Sequence, residues 1–339
     1  MKVLVTGATG FVGKTLIENL LFESFKVEAL VRQSSAKLPL SVKQVAVGDL
    51  TGLTLEDCSS LLKDSFNGVD VLVHAAARVH VMNDDASDPL AEFRRVNRDA
   101  TLVLARLASE LRVKRFIFLS SIGVNGNNNK KAFTENDPPS PHDLYAISKY
   151  EAEQGLLALA KEGHMEVVII RPPLIYGPNA PGNFGSLFKW IGRPIPLPFG
   201  SIHNQRSLIA LDNLVSFISL CANRKKSPKA ANQIFLISDG EDVSTTQLLR
   251  KIVKALKGSS SDLHDSLNDN HQAWLVHIPV SIMTFVAKLL GKGAMVNRLF
   301  GSLQVDSSKA RNLLGWSPVV TMDEQLKKIA DAYLRKEND

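Results

Sequence analysis

The stretch "KVLVTGATGFVGK" at residues 2–14 leads from an apolar run through a glycine-rich turn into a helical pattern. Its glycines, Gly7, Gly10 and Gly13, have the spacing G-x-x-G-x-x-G. Glycine permits a tight turn and lets the backbone approach a pyrophosphate at a helix N-terminus. A glycine triplet alone is a weak signal, but a strand before it and a helix after it are the context that dinucleotide binding requires. The stretch therefore predicts a dinucleotide site, with a merely structural turn as the alternative.

Apolar, β-branched runs alternate with helical patterns through the first half of the chain. Runs that are apolar along their whole length predict strands buried on both faces, which is typical of a parallel sheet between two helical layers. We therefore expect an α/β fold with a doubly wound parallel Rossmann sheet. The predicted strands are 2–7, 26–32, 43–49, 69–76, 115–121 and 166–172, and helices between them include 12–23, 89–111 and 145–162.

The second half of the chain has a different texture. Segments 171–182 and 192–200 are rich in proline and glycine, which predicts loops over a cleft. Segment 205–224 predicts a strand leading into a helix, and 232–240 predicts a further strand; we expect both strands to return to the main sheet. We divide the chain into an NAD(P)-binding Rossmann domain (1–170 with 206–238), a smaller C-terminal substrate-binding lobe (171–205 with 239–316) and a C-terminal helix (317–339).

The composition is that of a soluble globular protein, with 339 residues, 45% hydrophobic and 22% charged. The net charge of +6 is a weak indication of acidic ligands, because the basic residues are scattered and no basic run predicts nucleic-acid binding. Cys58 and Cys221 lack the spacing of metal ligands, so we predict no metal site. No secretory signal precedes the first strand. The apolar segment 274–290 is too short and interrupted to span a bilayer comfortably, and it predicts a buried helix, with an interfacial helix as the alternative. We expect a cytoplasmic protein.

The stretch "YAISKY" (145–150) places Tyr145 and Lys149 on one face of a predicted helix. An ammonium held near a phenol stabilises the phenolate and lowers the pKa of the tyrosine from its ordinary value of about 10. That shift would make the tyrosine useful as an acid or base near neutral pH. Taken alone, the spacing favours a packed tyrosine and a solvated lysine, because Y-x-x-x-K occurs by chance in many helices.

Together with the glycine turn, this pair resembles the extended branch of the short-chain dehydrogenase/reductase family, of the NAD-dependent epimerase/dehydratase type. Each motif is modest, but their order and spacing over nearly the whole chain are specific. The matching motifs are T-G-x-x-G-x-x-G at 6–13, "GDL" at 48–50, "HAAA" at 74–77, "VN" at 96–97, "SS" at 120–121, Y-x-x-x-K at 145–149, "RPPLIYGP" at 171–178, "RSLIALDNL" at 206–214 and "VDSSKARNLLGW" at 305–316.

The resemblance implies a catalytic set of Ser121, Tyr145 and Lys149. Tyr145 would transfer the proton, Ser121 would hydrogen-bond the reacting sugar oxygen, and Lys149 would also hold the nicotinamide ribose. Ser121 is preferred over its neighbour Ser120 by counting back from "VNG" at 124–126. Such a set would allow hydride transfer at a carbinol or carbonyl carbon, with proton transfer at its oxygen.

The resemblance also implies the cofactor contacts. Asp49 and Leu50 would contact the adenine, although Asp49 is alternatively a turn residue that ends the third strand. Ala75 and Ala76 would keep the end of the fourth strand small, and His74 beside them is expected to be a satisfied core histidine. The predicted cofactor-binding residues are Gly7, Thr9, Gly10, Phe11, Val12, Gly13, Arg32, Asp49, Leu50, Ala75, Ala76, Tyr145 and Lys149.

The predicted partner is a UDP-sugar. Arg206 matches an arginine that binds the substrate pyrophosphate in nucleotide-sugar members of the family, and a planar fork of donors suits that anion. Asn183 and Arg298 are further candidates for substrate contacts, and Arg78 together with Ser121 would face the sugar. For Arg206, Asn183 and Arg298 the alternative is a solvated loop residue. The family also implies a homodimer through the helix that carries Tyr145.

Two reactions stay open. The 4,6-dehydratases of the family carry an Asp-Glu pair after the catalytic threonine, and this chain has Ile122 and Gly123 there, so we reject dehydration. A 4-epimerase would retain NAD, whereas a 4-ketoreductase would use fresh NAD(P)H once. Val31 stands where an NAD-preferring site usually has an acid. Arg32, with nearby serines, could hold a 2′-phosphate, so NADP(H) is favoured over NAD and reduction over epimerisation.

The resemblance extends to bacterial enzymes of surface-polysaccharide precursors, including lipopolysaccharide O-antigen. It implies reduction of a UDP-4-keto-hexose such as UDP-2-acetamido-2,6-dideoxy-hexos-4-ulose. The alternative is a 4-epimerase of a UDP-hexose or a UDP-N-acetylhexosamine. A hypothesis of another class is a non-catalytic dinucleotide-binding sensor or scaffold. Such proteins typically lose the tyrosine or the lysine of the motif, and this chain keeps both.

Overall fold

The computed structural model describes most of the chain. Asn183 and Arg298 lie outside the described residues, as does most of the apolar segment 274–290. No helix in the described part of the chain is long and apolar enough to cross a membrane. The described residues are 1–51, 55, 59–79, 88–181, 184, 187–188, 191, 197–260, 275–278, 283 and 300–338.

Strands and helices alternate along the described chain. The strands are β1 (Lys2–Thr6), β2 (Lys26–Val31), β3 (Lys43–Ala46), β4 (Val71–His74), β5 (Arg115–Leu119), β6 (Glu166–Arg171), β7 (Leu174–Tyr176), β8 (Arg206–Ala210), β9 (Gln233–Leu236) and β10 (Asp242–Val243). The helices are α1 (Phe11–Phe22), α2 (Ser60–Ser65), α3 (Pro89–Arg94), α4 (Ala100–Glu110), α5 (Leu144–Lys161), α6 (Leu211–Ala222), α7 (Thr245–Ser260), α8 (Ser308–Leu314) and α9 (Met322–Asn338). A π-helical turn spans Arg95–Asp99, and 3₁₀ turns span Ile122–Val124 and Pro228–Ala230.

Seven parallel strands form the main sheet of the described structure, in the order β3-β2-β1-β4-β5-β6-β9. Within β1, Val3 and Val5 belong to the hydrophobic cluster on one face of this sheet, whereas Leu4 belongs to the cluster on the other face. Successive residues of a strand point to opposite faces, so β1 is buried between two layers. The structure therefore confirms the predicted doubly wound parallel Rossmann sheet.

Two helical layers cover the sheet. On one face α1 packs against α6, and Leu16 of α1 and Leu214 of α6 are fully buried. On the other face α4 packs against α5, through residues such as Leu104 and Leu156. Full burial of one such side chain stabilises the fold by about 1.5–3 kcal/mol. The periodic apolar faces of these helices are thus what holds them on the sheet.

A second, three-stranded sheet of the order β10-β8-β7 corrects one expectation. Only β9 joins the main sheet, where it pairs with β6, whereas β8 pairs in parallel with β7 and antiparallel with β10. The prediction that 206–210 returns to the main sheet was therefore wrong. The position beside β6 is occupied by β9, and Leu208 and Ala210 instead pack in a third cluster with residues of α7 and α9, such as Leu249 and Leu326. The predicted division into domains remains a prediction.

The strand order reverses between β1 and β4, the two strands at the centre of the sheet. In open parallel sheets, ligands bind in the crevice outside the carboxyl ends of the strands at this point of reversal. The glycine turn after β1, the alanines after β4 and the serines after β5 all leave the sheet at that edge. The fold therefore gathers three of the predicted motifs at one place.

Candidate active site

The glycine turn after β1 leaves no room for side chains. A Cβ on Gly7 would lie 2.6 Å from the backbone nitrogen of Ala76, and a Cβ on Gly13 would lie 2.0 Å from the carbonyl oxygen of Gly7. Gly7 also has a φ of +69°. Gly10 is the N-cap of α1 and supplies no side-chain cap, so no side chain at this position covers the positive end of the helix. The turn fits the pyrophosphate of a dinucleotide.

The other predicted contacts of the turn surround it. Thr9 is exposed, while Phe11 and Val12 in the first turn of α1 are partly buried against the main core. Ala75 and Ala76 are half-buried and lie directly beside Gly7. The structure thus brings this part of the predicted cofactor set together.

The predicted adenine contact, Asp49, lies in a turn that two arginines approach. The Asp49 carboxylate accepts a hydrogen bond from the backbone of Thr51 (Oδ1···N 3.0 Å), and this bond lowers its pKa, with smaller contributions from Arg95 and Arg32. Arg95 was not identified from the sequence; its Nη1 donates to the Thr51 hydroxyl at 2.5 Å. A sequence signal for it is its place directly before "VN" at 96–97. Asp49 is exposed and Leu50 is half-buried.

The end of β2 presents a cation and no acid. Val31 is buried, whereas Arg32 and Ser34 are exposed. The hydroxyl of Ser35 accepts a hydrogen bond from the backbone of Lys37 at 3.2 Å. Arg32 and Ser34 therefore face solvent beside the turn that carries Asp49.

Helix α5 presents Tyr145 and Lys149 to the end of β5. Asp143 caps this helix by accepting a hydrogen bond from the backbone of Ala146 at 2.7 Å, which starts the helix one residue before Tyr145. The Lys149 ammonium donates to the carbonyl of Leu119 at 2.9 Å and lies 5.9 Å from the centroid of the Tyr145 ring. Burial lowers the pKa of Lys149 to about 7. Near neutral pH, Lys149 is therefore close to losing its proton.

The pKa of Tyr145 shifts in the opposite direction to the one predicted. The sequence predicts a pKa lowered by Lys149, whereas burial of the phenol, with a contribution from Asp143, raises the pKa above its ordinary value. The reason is geometric, because the Lys149 ammonium is bonded to the carbonyl of Leu119 and lies 5.9 Å from the Tyr145 ring centroid, while desolvation of the phenol raises its pKa. In this arrangement Tyr145 is a neutral phenol that holds its proton at neutral pH.

The two serines after β5 have different surroundings. Ser120 is buried, and its hydroxyl donates to the Glu153 carboxylate at 2.5 Å. Ser121 is half-buried, and its oxygen accepts a hydrogen bond from the backbone of Gly123 at 3.1 Å. A Cβ on Gly123 would lie 3.3 Å from both the Ser121 oxygen and the Cβ of Ala146, so the Ser121 turn packs on the first turn of α5. These surroundings favour Ser121 over Ser120 as the serine that faces a ligand.

His74 is a core histidine, as predicted. Its Nδ1 is hydrogen-bonded to the Thr6 hydroxyl at 2.8 Å and its Nε2 to the Thr101 hydroxyl at 2.9 Å. Burial lowers the pKa of His74 to about 3, so the ring is neutral near pH 7. Both ring nitrogens serve the packing of β4.

Asn97 joins the segment that follows β4 to α5. Its Oδ1 accepts from the backbone N–H of Arg78 at 2.8 Å, and its Nδ2 donates to the carbonyl of Arg78 and to the Ser148 hydroxyl, each at 3.0 Å. Asn97 is fully buried in the π-helical turn. Turns of this type occur frequently at functional sites.

Of the predicted substrate residues, Arg78 and Arg206 contact different elements of the described structure. The guanidinium of Arg78 lies 5.6 Å from the centroid of the Phe93 ring, and Phe93 packs edge-on against Tyr145 with centroids 6.4 Å apart. Arg78 is therefore beside the predicted catalytic helix. Arg206 begins β8, where its Nη1 donates to the carbonyl of Gly301 at 3.0 Å, and burial lowers its pKa.

The residues directly after Ser121 supply no acid. Ile122 is buried and is followed by Gly123. Glu153, behind Ser120, is buried and forms an ion pair with Arg171 at 2.5 Å. No group of three histidine, cysteine or acidic side chains within the described residues could hold a metal ion. The site thus offers a hydroxyl, a phenol and an ammonium for proton transfer at one oxygen.

Comparisons with known proteins agree with this geometry. The model of the NAD dependent epimerase/dehydratase family matches residues 3–237. A relative from Vibrio cholerae, named UDP-glucose 4-epimerase, is 42% identical over 99% of this chain and 97% of its own length. The solved structures of a UDP-glucuronic acid 4-epimerase from Bacillus cereus (20% identity, TM-score 0.74) and a UDP-glucose 4-epimerase from Thermotoga maritima (24% identity, TM-score 0.73) each match over 100% of both chains. These two structures show a shared fold.

The family model extends from the first strand through β9, and so includes the glycine turn, the serines and the Tyr145–Lys149 helix. The resemblance drawn from the motifs is thereby confirmed. The chain is an enzyme of the NAD-dependent epimerase/dehydratase family, in the extended branch of the short-chain dehydrogenases/reductases.

Proposed function

We propose that the protein is a nucleotide-sugar 4-epimerase that acts on a UDP-hexose or a UDP-N-acetylhexosamine with bound NAD. The observation that supports this proposal is that the glycine turn after β1, Ser121 after β5 and the Lys149 contact with the end of β5 lie at the carboxyl-end edge of one parallel sheet, and that no acid pair follows Ser121. Such a set suits proton transfer at a single carbinol oxygen. Similarity to a UDP-glucose 4-epimerase over nearly the full length of both chains favours epimerisation over the reduction that the sequence places first.

The residues of the site have distinct roles in this proposal. Gly7, Gly10 and Gly13 cradle the pyrophosphate, and the nicotinamide, when bound, supplies the acceptor and the donor of the hydride. Tyr145 exchanges a proton with the C4 oxygen of the sugar, and Ser121 donates a hydrogen bond to the same oxygen. In the neutral phenol form Tyr145 can return a proton to a ketone oxygen, and it must become a phenolate to take one from the hydroxyl.

Lys149 supplies the positive charge that this phenolate requires. Its ammonium lies 5.9 Å from the Tyr145 ring centroid, and movement away from the carbonyl of Leu119 would allow a closer approach. Arg206 and Arg78 are proposed to bind the UDP-sugar, because guanidinium groups match diphosphate oxygens and sugar hydroxyls. A homodimer through α5, a cytoplasmic location and a role in O-antigen precursor synthesis remain predictions.

A second candidate function is reduction of a UDP-4-keto-hexose by NADPH. The observation that favours it is the end of β2, where buried Val31 replaces an acid and exposed Arg32 offers a cation to a 2′-phosphate. Substitution of Arg32 by alanine would then raise the dissociation constant for NADPH about tenfold, because one charge-assisted hydrogen bond is lost. The dissociation constant for NADH would stay unchanged.

The test has two arms. The purified protein is denatured and any released dinucleotide is identified; then the native protein is incubated with UDP-glucose or UDP-N-acetylglucosamine without added cofactor, and the C4 epimer is followed by NMR. We expect tightly held NAD and formation of the epimer. In Tyr145→Phe we expect turnover to fall about 10²–10⁴-fold with NAD still bound.

Other results would redirect the assignment. The protein is a reductase if its dinucleotide exchanges freely, if it prefers NADPH, and if it oxidises NADPH when UDP-2-acetamido-2,6-dideoxy-hexos-4-ulose is added but forms no epimer. Unchanged turnover in Tyr145→Phe excludes the assigned catalytic pair. Dinucleotide binding with neither reaction supports the non-catalytic sensor.

A further inference from the structure

A buried polar chain lies directly behind the catalytic residues. Glu153 is 1% exposed and stands four residues after Lys149 on α5. Its Oε1 accepts from the Ser120 hydroxyl at 2.5 Å and from Arg171 Nε at 3.0 Å, and its Oε2 accepts from Arg171 Nη2 at 2.5 Å. Arg171 continues the chain by donating to Asn125 Oδ1 at 2.9 Å. The Glu153 carboxylate thus links α5, the helix that also carries Lys149, to the end of β5, where Ser121 lies.

The hydrogen-bonded series Ser120–Glu153–Arg171–Asn125 is anchored in the backbone at both of its ends. Ser120 directly precedes Ser121, so the Ser120–Glu153 hydrogen bond fixes the backbone from which the Ser121 side chain projects. Arg171 ends β6 and Asn125 follows the 3₁₀ turn, so their contact fixes the far side of that turn. Glu153 is therefore placed to set the position of the Ser121 turn relative to α5.

Glu153 is also the acidic group that acts on Lys149. Within the described residues, the titratable groups that face Lys149 are Tyr145 and Glu153 on α5 and His74 at the end of β4, with Arg171 of β6 on the other side of Glu153. His74 is neutral near pH 7. The negative charge of Glu153 raises the pKa of Lys149 against the larger, opposing effect of burial.

We propose that Glu153 is a positioning residue for the reaction, which fixes Ser120 at the end of β5 and faces Lys149, one helical turn earlier on α5, where Lys149 is bonded to the neighbouring Leu119. This inference rests on the proposed function, since it concerns the same site. Arg171 serves it by balancing the buried carboxylate, because an unpaired charge in that place would be costly.

The test variant is the double substitution Glu153→Gln with Arg171→Met. It removes both charges together, so neither is left buried alone, and the glutamine oxygen can still accept from Ser120. A matched control is Arg115→Met with Glu166→Gln. That Arg–Glu pair has an N···O distance of 2.7 Å and joins the starts of β5 and β6, at the opposite edge of the sheet.

The readout is the pH dependence of NADH affinity between pH 5.5 and 9, measured as displacement of any NAD that the purified protein retains. ADP is the comparison ligand because it lacks the nicotinamide ribose. In wild type we expect NADH affinity to decline as pH rises through about 7, where Lys149 loses its proton. In the Glu153→Gln, Arg171→Met variant we expect this decline to shift about one pH unit lower. ADP affinity and the control variant should show no such shift.

The possible results separate the inference from the function on which it rests. A decline at the same pH in wild type and the test variant, with NADH bound by both, overturns the role of Glu153 and leaves the proposed function intact. Equal shifts in the test and control variants show a merely structural effect and also overturn it. A wild type that neither retains NAD through purification nor binds added NADH overturns the proposed function and this inference together.

Discussion

Gly7 meets two constraints that substitution can separate. Its φ of +69° disfavours any residue with a Cβ, and a Cβ there would also lie 2.6 Å from the backbone of Ala76. Gly48 has a similar φ of +73° but has no atom within 4 Å of the corresponding position. We predict that Gly48→Ala lowers the free energy of unfolding by about 1–2 kcal/mol through the left-handed conformation alone.

In Gly7→Ala the steric conflict adds to the same conformational cost, so we expect a further loss of about 1–3 kcal/mol. Urea unfolding of both variants measures the difference between them. Equal losses would mean that the contact between Gly7 and the end of β4 yields easily, and that glycine is needed there for its φ alone.

Local geometry decided which site residues the sequence could predict. Turn chemistry predicts the place of Gly7, and helix spacing puts Tyr145 and Lys149 on one face of a helix, but it was the resemblance to the family that assigned the pair to the site. The bond from Lys149 to the carbonyl of Leu119 joins residues 30 apart, and the approach of Arg95 to Thr51 joins residues 44 apart. Such contacts depend on how the sheet orders its strands, and no local pattern specifies them.

The N-cap of α5 links helix stability to the chemistry of Tyr145. Asp143 accepts from the backbone of Ala146 at 2.7 Å, and its charge contributes to raising the pKa of Tyr145. We predict that Asp143→Ala lowers the free energy of unfolding by about 1 kcal/mol through the lost cap. It should also shift the ionisation of Tyr145, followed by ultraviolet absorbance, to lower pH, because the phenolate then faces one negative charge fewer.

Asp88→Ala is the control, since Asp88 caps α3 in the same way by accepting from Ala91 at 3.0 Å. This variant should lose similar stability and leave the phenol titration where it is in wild type. If the titration moves equally in both variants, the effect comes from loosened structure and the charge of Asp143 is not its cause.

Helices and strands were predictable where the apolar periodicity is continuous. They were less predictable where tertiary contacts decide where a helix is interrupted or which sheet a strand joins. Helix 89–111 was predicted as one element, and the structure divides it by the π-helical turn at Arg95–Asp99. The hydrogen bonds of Asn97 to Arg78 and Ser148, which are distant in sequence, accompany that turn. Strand β8 likewise has an ordinary strand sequence, and its sheet is decided by β9, which occupies the place beside β6.

At the scale of the molecule, Asn213 ties the C-terminal segment to the rest of the fold. Its Oδ1 accepts from the backbones of Val319 and Val320 at 2.7 and 2.9 Å, and its Nδ2 donates to Asp239 at 2.7 Å. Asp239 in turn accepts from the Tyr176 hydroxyl at 2.7 Å. One fully buried amide therefore connects α6, the residues after β9, the second sheet and the segment that leads into α9.

This connection predicts that substitution of Asn213 loosens a segment that is more than 100 residues away in the sequence. In Asn213→Ala we expect the free energy of unfolding to fall by about 1–3 kcal/mol and backbone amides at 319–338 to exchange hydrogen faster than in wild type, because their anchor to α6 is lost. Asn19→Ala is the control, since Asn19 accepts one hydrogen bond from Ser219 between α1 and α6. Hydrogen exchange followed by mass spectrometry distinguishes the two. Unchanged exchange at 319–338 in Asn213→Ala would show that the apolar packing of α9 against α7 holds the C-terminal segment by itself.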